Sequence, residues 1–170
     1  MKRWLPIIFS ALALAAPAAS RQAEVGVIRI AGAIGPATAD YIARAVNVAA
    51  AANHACLIIE LDTPGGLLDS TKEIVQTFYA SKVPTVVYVS PSGANAGSAG
   101  TFITLAADVA AMAPNTSIGA AHPVSIGTGG EQKTDEVMKQ KLQNFASSYI
   151  ESIAQKRGRN VEWARSAVVE

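Results

Sequence analysis

Leu57-Ile58-Ile59-Glu60-Leu61-Asp62-Thr63-Pro64-Gly65-Gly66 opens the stretch that decides the fold, and Ser92-Gly93-Ala94-Asn95-Ala96-Gly97-Ser98-Ala99-Gly100 closes it. Between them lie a segment of helical period over 67–79 and a second apolar run, Thr85-Val86-Val87-Tyr88-Val89. The pattern predicts two strands, each ending in a glycine-rich turn that leads into a helix. In α/β folds, ligands and chemistry gather at the carboxyl ends of such strands. Glycine permits close backbone approach, and a helix N-terminus offers free N–H groups to developing negative charge. Ser98 stands in the second turn among residues too small to shield it, which makes it a candidate nucleophile. Gly66 and Ala99 are then the candidate oxyanion donors.

Working outward, residues 24–31 read as a short strand and 38–52 as an alanine-rich helix with Tyr41, Ile42, Ala45, Val46 and Ala49 on one side. The runs 56–61 and 83–90 are near-continuous in apolar residues, a pattern expected of strands buried on both faces. A small-residue helix over 98–107, short strands over 109–113 and 116–121, and a long helix over 135–156 follow. Gly158 is expected to end that helix, with the surrounding Lys156, Arg157 and Arg159 as helix-end cations. Asn160 is expected to cap a last helix. The order β-α-β-α-β-α-β followed by helix argues an α/β domain with parallel strands. Residues 123–134 hold three glycines and little that is apolar, as a loop covering a site would.

The composition excludes several classes. Half of the 170 residues are hydrophobic, 16% are charged and the formal net charge is +1, which suits one globular domain and gives no electrostatic case for nucleic acid. A single Cys56, at the head of an apolar strand, reads as a buried inert thiol. Two separated histidines and scattered carboxylates lack the spacing of a metal site, and no phosphate-binding or dinucleotide fingerprint occurs, so no cofactor is expected. The first twenty residues have a basic start, an apolar stretch over 5–16 and small residues up to Ser20, the pattern of a signal peptide directing export. The domain is then 21–170.

A serine hydroxyl needs a base as well as oxyanion donors. His122 is one candidate. A lysine with its proton weakened by burial is another, and Lys139 and Lys141 flank the expected apolar stripe Met138, Leu142, Phe145, Tyr149 and Ile153 on opposite sides. The helical wheel does not choose between them, although it sets Lys139 nearer the apolar arc, which widens through Ala146 and Ile150. The string Ala96-Gly97-Ser98-Ala99-Gly100 lacks the first glycine of the Gly-x-Ser-x-Gly elbow, which argues against an α/β-hydrolase.

Taken together, residues 59–66, 87–89, 93–101, 112–123 and 141–144, with Gly158-Arg159-Asn160, resemble the NfeD family, membrane-bound serine proteases of the ClpP class. The resemblance implies a ClpP/crotonase-like fold and cofactor-free endopeptidase activity. It implies Ser98 as nucleophile, Lys141 as base, and oxyanion donors from Gly66 and Ala99. In the ClpP peptidases a histidine at the place of His122 is the base, so Ser98–His122 stays as the rival assignment. The resemblance further implies cleavage of hydrophobic segments of membrane proteins, stomatin-like partners, a homo-oligomer, and an extracytoplasmic, membrane-associated location. Family members continue beyond the point reached at Glu170 to finish the protease domain, so the resemblance implies either a fragment or a short form. Two other readings use the same glycine turns: an acyl-CoA-handling crotonase relative, and a non-catalytic module that binds a membrane protein.

Overall fold

The computed structural model describes residues 23–122 and 136–169. The expected signal peptide and the expected glycine-rich loop over 123–134 lie outside the described residues.

Four parallel strands form the main sheet in the order β1-β2-β3-β5: β1 (Gly26–Ala31), β2 (Leu57–Asp62), β3 (Thr85–Val89) and β5 (Val109–Met112). Between them run α1 (Pro36–Ala51), α2 (Leu68–Ala80) and α3 (Ala99–Ala106), and the chain ends in α4 (Glu136–Lys156) and α5 (Val161–Val169). A second, two-stranded parallel sheet pairs β4 (Asn95–Gly97) with β6 (Ser117–Gly119). The expected α/β order is therefore present, and the register places Leu57 beside Thr85 and Leu61 beside Val89. That register makes the two glycine-rich turns neighbours.

Four local expectations are corrected. First, β2 and β3 are not buried on both faces. Leu57, Ile59, Leu61, Thr85, Val87 and Val89 point into the core, while Ile58, Glu60, Val86 and Tyr88 are half-buried. Val27 and Val109 on the same outer face are exposed. β-branched and long apolar side chains on alternate positions masked this one-sided burial in the sequence. Second, residues 95–97 form a strand rather than part of a turn. The Thr63 amide donates to the Asn95 carbonyl and the Gly97 amide to the Thr63 carbonyl, so the backbone there continues pairing after β3 has ended. Third, the α4 stripe is buried only in part: Ile153 is, as are Ala146 and Ile150 where the arc widens, and Ala154; Leu142 and Tyr149 are half-buried, and Met138 and Phe145 are exposed. Only the C-terminal half of α4 meets the core, and its small residues allow the closer approach. Cys56 is half-buried rather than buried, because it precedes β2 at the sheet's entry.

The basic cluster after α4 does end the helix as expected. Gly158 takes φ +63°, and the Arg159 amide donates back to the Ala154 carbonyl at 2.8 Å. Its arginines have a second task that sequence did not reveal. Arg157 donates to the Ala106 carbonyl, and Arg159 donates to those of Leu105 and Ala107. These are the orphan carbonyls at the C-terminus of α3, so two cations stabilise the negative end of the short helix whose other end carries Ser98. Asn160 caps α5, its Oδ1 accepting the Trp163 amide at 3.0 Å.

Asp108 completes the α3 anchor. Its carboxylate accepts the Thr85 amide and hydroxyl at 2.8 and 2.9 Å and pairs with Arg157. Burial pushes its carboxyl up, but the Thr85 hydrogen bonds and the Arg157 charge outweigh it and hold the group below the usual aspartate range. A carboxyl depressed in the folded state adds stability above its unfolded value and loses it as pH falls through the folded value. Asp108→Asn is therefore expected to lower denaturant stability at neutral pH, with the difference from wild type shrinking below about pH 4. Urea titrations of both forms across the acid range check this.

Candidate active site

The turn after β2 and the elbow after β4 meet at Ser98. Thr63 sets the first turn: its Oγ1 accepts the Gly65 amide at 3.0 Å. Gly65 sits at φ +123°, and a Cβ there would lie 2.5 Å from the Ser98 Cβ and 3.1 Å from its Oγ. Only glycine lets this turn lie against the serine. Gly66 bridges to Ile34, and a Cβ on it would stand 2.0 Å from the Ile34 carbonyl oxygen. The bonds on either side, Ile34 amide to Gly65 carbonyl and Leu67 amide to Ile34 carbonyl, turn the Gly66 N–H to the opposite side, where it has no acceptor among the described residues.

Ser98 stands at φ +49°, ψ −114°, immediately before α3. For a residue with a Cβ this is a sparsely populated backbone conformation, costing on the order of 1–3 kcal/mol and persisting only where neighbours enforce it. Its amide donates to the Gly119 carbonyl at 3.0 Å, and its carbonyl accepts the Thr101 amide at 2.9 Å. Its side chain makes no capping bond, and Oγ has no hydrogen-bond partner among the described residues. Ala99 heads α3, so its N–H has no partner within the helix.

Ser98, Ala99 and Gly66 line one cavity of ≈ 290 Å³, whose remaining walls are Leu67, Leu68, Thr71, Phe102, Ala121, Leu142 and Ala146. Phe102, at the start of α3, stacks on Tyr149 of α4, with ring centroids 5.9 Å apart. Three of the expected site residues, Ser98, Gly66 and Ala99, thus share one apolar cavity.

The two candidate bases stand elsewhere. Lys141 is exposed, its side chain makes no hydrogen bond or ion pair among the described residues, and it lines a shallow depression on α4 with Glu136, Gln140 and Asn144. It is one position from Leu142, which lines the cavity. Lys139 pairs with Glu136 at 3.1 Å. His122 is exposed and follows the wall residue Ala121; its Nδ1 is 3.0 Å from the Val168 carbonyl. A carbonyl can only accept, so Nδ1 carries a proton, and in the neutral ring Nε2 is the acceptor. Among the described residues, no three His, Cys, Asp or Glu side chains cluster as metal ligands would, and no helix is long and apolar enough to cross a membrane.

This geometry is a ClpP-like α/β fold with a serine elbow. ClpP1 from Listeria monocytogenes has the same fold at TM-score 0.64 and 18% identity over 85% of this chain and 79% of its own. The chain belongs to the NfeD1b N-terminal domain family, whose profile matches residues 24–170. The membrane-bound protease PH1510 of Pyrococcus horikoshii is 38% identical over 172 residues, covering all of this chain and 38% of its own length. Membrane protein NfeD1b of Bacillus subtilis is 32% identical over 126 residues, 74% of this chain and 26% of its own. The chain thus spans well under half of either relative. Among solved structures, a serine-to-alanine variant of 1510-N, a membrane-bound stomatin-specific protease, superposes at TM-score 0.80 with 39% identity, covering 87% of this chain and 70% of that one. A lysine-to-alanine variant of the same protease with a substrate peptide superposes at 0.78 with 40% identity, over 86% and 66%.

The contacts at Gly66 set its tolerance. Gly66→Ala drives a methyl into the Ile34 backbone, so the turn must shift. Thermal unfolding should show a clear loss of stability, and retention of the wild-type melting point would mean that Gly66 does not sit against Ile34.

Proposed function

We propose that this domain is a serine endopeptidase that takes apolar peptide segments. The observation that carries the reading is Ser98: a hydroxyl without a hydrogen-bond partner among the described residues, on an enforced backbone, lining an apolar cavity that Gly66 and Ala99 also line. In the proposed reaction Ser98 Oγ attacks the scissile carbonyl carbon and its proton passes to a neutral amine, Lys141 Nζ. The carbonyl oxygen becomes an oxyanion facing the Gly66 and Ala99 N–H groups, a placement that is typically worth a few kcal/mol per donor. The same proton then goes to the departing amine, leaving an acyl-serine. Water, deprotonated by Lys141, releases the acid and restores the serine.

The cavity walls support an apolar residue next to the scissile bond, since Leu67, Leu68, Phe102, Leu142 and Ala146 offer little to hydrogen-bond. Hydrophobic segments of membrane-associated proteins suit such walls, and the stomatin specificity of the solved relative supports stomatin-like substrates. Its solved serine and lysine variants support a Ser-Lys dyad. Lys141 is exposed in the single chain, and exposed Met138 and Phe145 share the first half of α4 with it. A second copy covering this half of α4 would remove water from Lys141, so the working form in this reading is a homo-oligomer. The reading also keeps residues 1–20 as an export signal and places the domain on the extracytoplasmic side, at the membrane.

His122 as the base is the second reading, favoured by one observation: its Nδ1 bond to Val168 leaves Nε2 as an acceptor beside a cavity wall residue. Hydrolysis of an apolar fluorogenic peptide separates the two. Ser98→Ala and Lys141→Met should each lower kcat by about 10³-fold or more, with His122→Ala near wild type. Full activity in Ser98→Ala would overturn the peptidase. Activity retained in Lys141→Met and lost in His122→Ala would move the base to His122.

A further inference from the structure

We infer that Thr101 is a positioning residue for the reacting serine, through a hydroxyl that locks the elbow to β6. This rests on the peptidase reading of Ser98. Thr101 is fully buried in the first turn of α3. Its Oγ1 accepts the Gly119 amide at 3.1 Å, and lies 2.9 Å from the Gly119 carbonyl and 3.0 Å from that of Ala96, to either of which it can donate.

The same Gly119 carbonyl receives the Ser98 amide, and the Thr101 amide holds the Ser98 carbonyl. One side chain thus ties together β4, two residues before the serine, the end of β6, and the helix that follows. The Ser98 backbone is fixed at both its N–H and its C=O by partners that the Thr101 hydroxyl or amide holds in place. Gly119 and Ala120 lie at φ +134° and +48°, so β6 ends in a stretch that would relax without a tie.

A packing role alone would belong to the methyl group. The lock belongs to the hydroxyl, because without it the half-buried Gly119 amide keeps only its ladder partner in β4, and the side-chain tie from Gly119 and Ala96 to α3 is gone. Three variants divide the side chain: Thr101→Val keeps the methyl and loses the hydroxyl, Thr101→Ser does the reverse, and Thr101→Ala loses both.

The experiment follows inactivation by a peptidyl phosphonate, separating the bond-forming rate constant from reversible affinity, well below each variant's melting temperature. Thr101→Val should slow bond formation by about 10- to 100-fold with affinity little changed, as expected for a reacting atom moved out of line. Thr101→Ser should stay near wild type. Should Thr101→Val not fold, the comparison of Thr101→Ser with Thr101→Ala carries the test. Equal rates for the hydroxyl-lacking and hydroxyl-bearing variants would overturn the inference, as would losses in Thr101→Ser matching those in Thr101→Ala. Hydrogen exchange at the Gly119 amide provides a readout that needs no activity: alike in wild type and Thr101→Ser, and faster in the other two, where only the ladder bond to β4 remains. Absence of wild-type labelling beside that exchange pattern would count against the peptidase and leave the lock standing.

Discussion

The site depends on a backbone held where it would not rest alone. Ser98 at φ +49° is strained, and it stays so because its amide and carbonyl are both engaged, by Gly119 and by Thr101. The strain has a chemical use. It breaks the chain direction between β4 and α3 sharply enough that the side chain emerges clear of both, and the N–H of the next residue starts a helix instead of continuing a ladder. A relaxed extended serine at this place would have continued β4, and a relaxed helical one would have joined the first turn of α3.

The rest of the fold brings partners to that point. Adjacent β2 and β3 put the Gly65-Gly66 turn against the serine, and the glycines remove every Cβ that would keep them apart. α3 has only eight residues, and Arg157 and Arg159 hold its last carbonyls from a segment fifty residues further on. That anchor ties the end of α4 to the helix carrying the elbow, so the C-terminal helices position the site as well as packing on it. The first half of α4 walls the cavity with Leu142 and Ala146 and, on its other side, leaves the Lys141 side chain exposed to water.

Much of this was legible in residue order. Alternation of apolar runs with helical periods gave the parallel sheet, and the glycines beside Thr63 and Ser98 marked both turns. Gly158 and Asn160 behaved as their side chains dictate, because caps are local. What was not legible depended on distant pairing. β4 looked like a turn because Asn95, Ala96 and Gly97 carry no strand-like side chains; its strand character comes from bonds to Thr63 and from β6. The α4 stripe held at Ile153, Ala146 and Ile150 but not at Met138 and Phe145, because where along a helix the core ends depends on what packs against it and not on its own period. Thr101 was visible within the motif, but a threonine in a helix has no local mark of a hydroxyl that binds two other strands.

The most direct test is the structure of the domain with a peptide boronate on Ser98. The account predicts a covalent bond from Oγ to boron, with one boronate oxygen about 2.7–3.1 Å from both the Gly66 and Ala99 nitrogens. A boronate whose oxygens point to solvent, with those two amides bonded elsewhere, would contradict it.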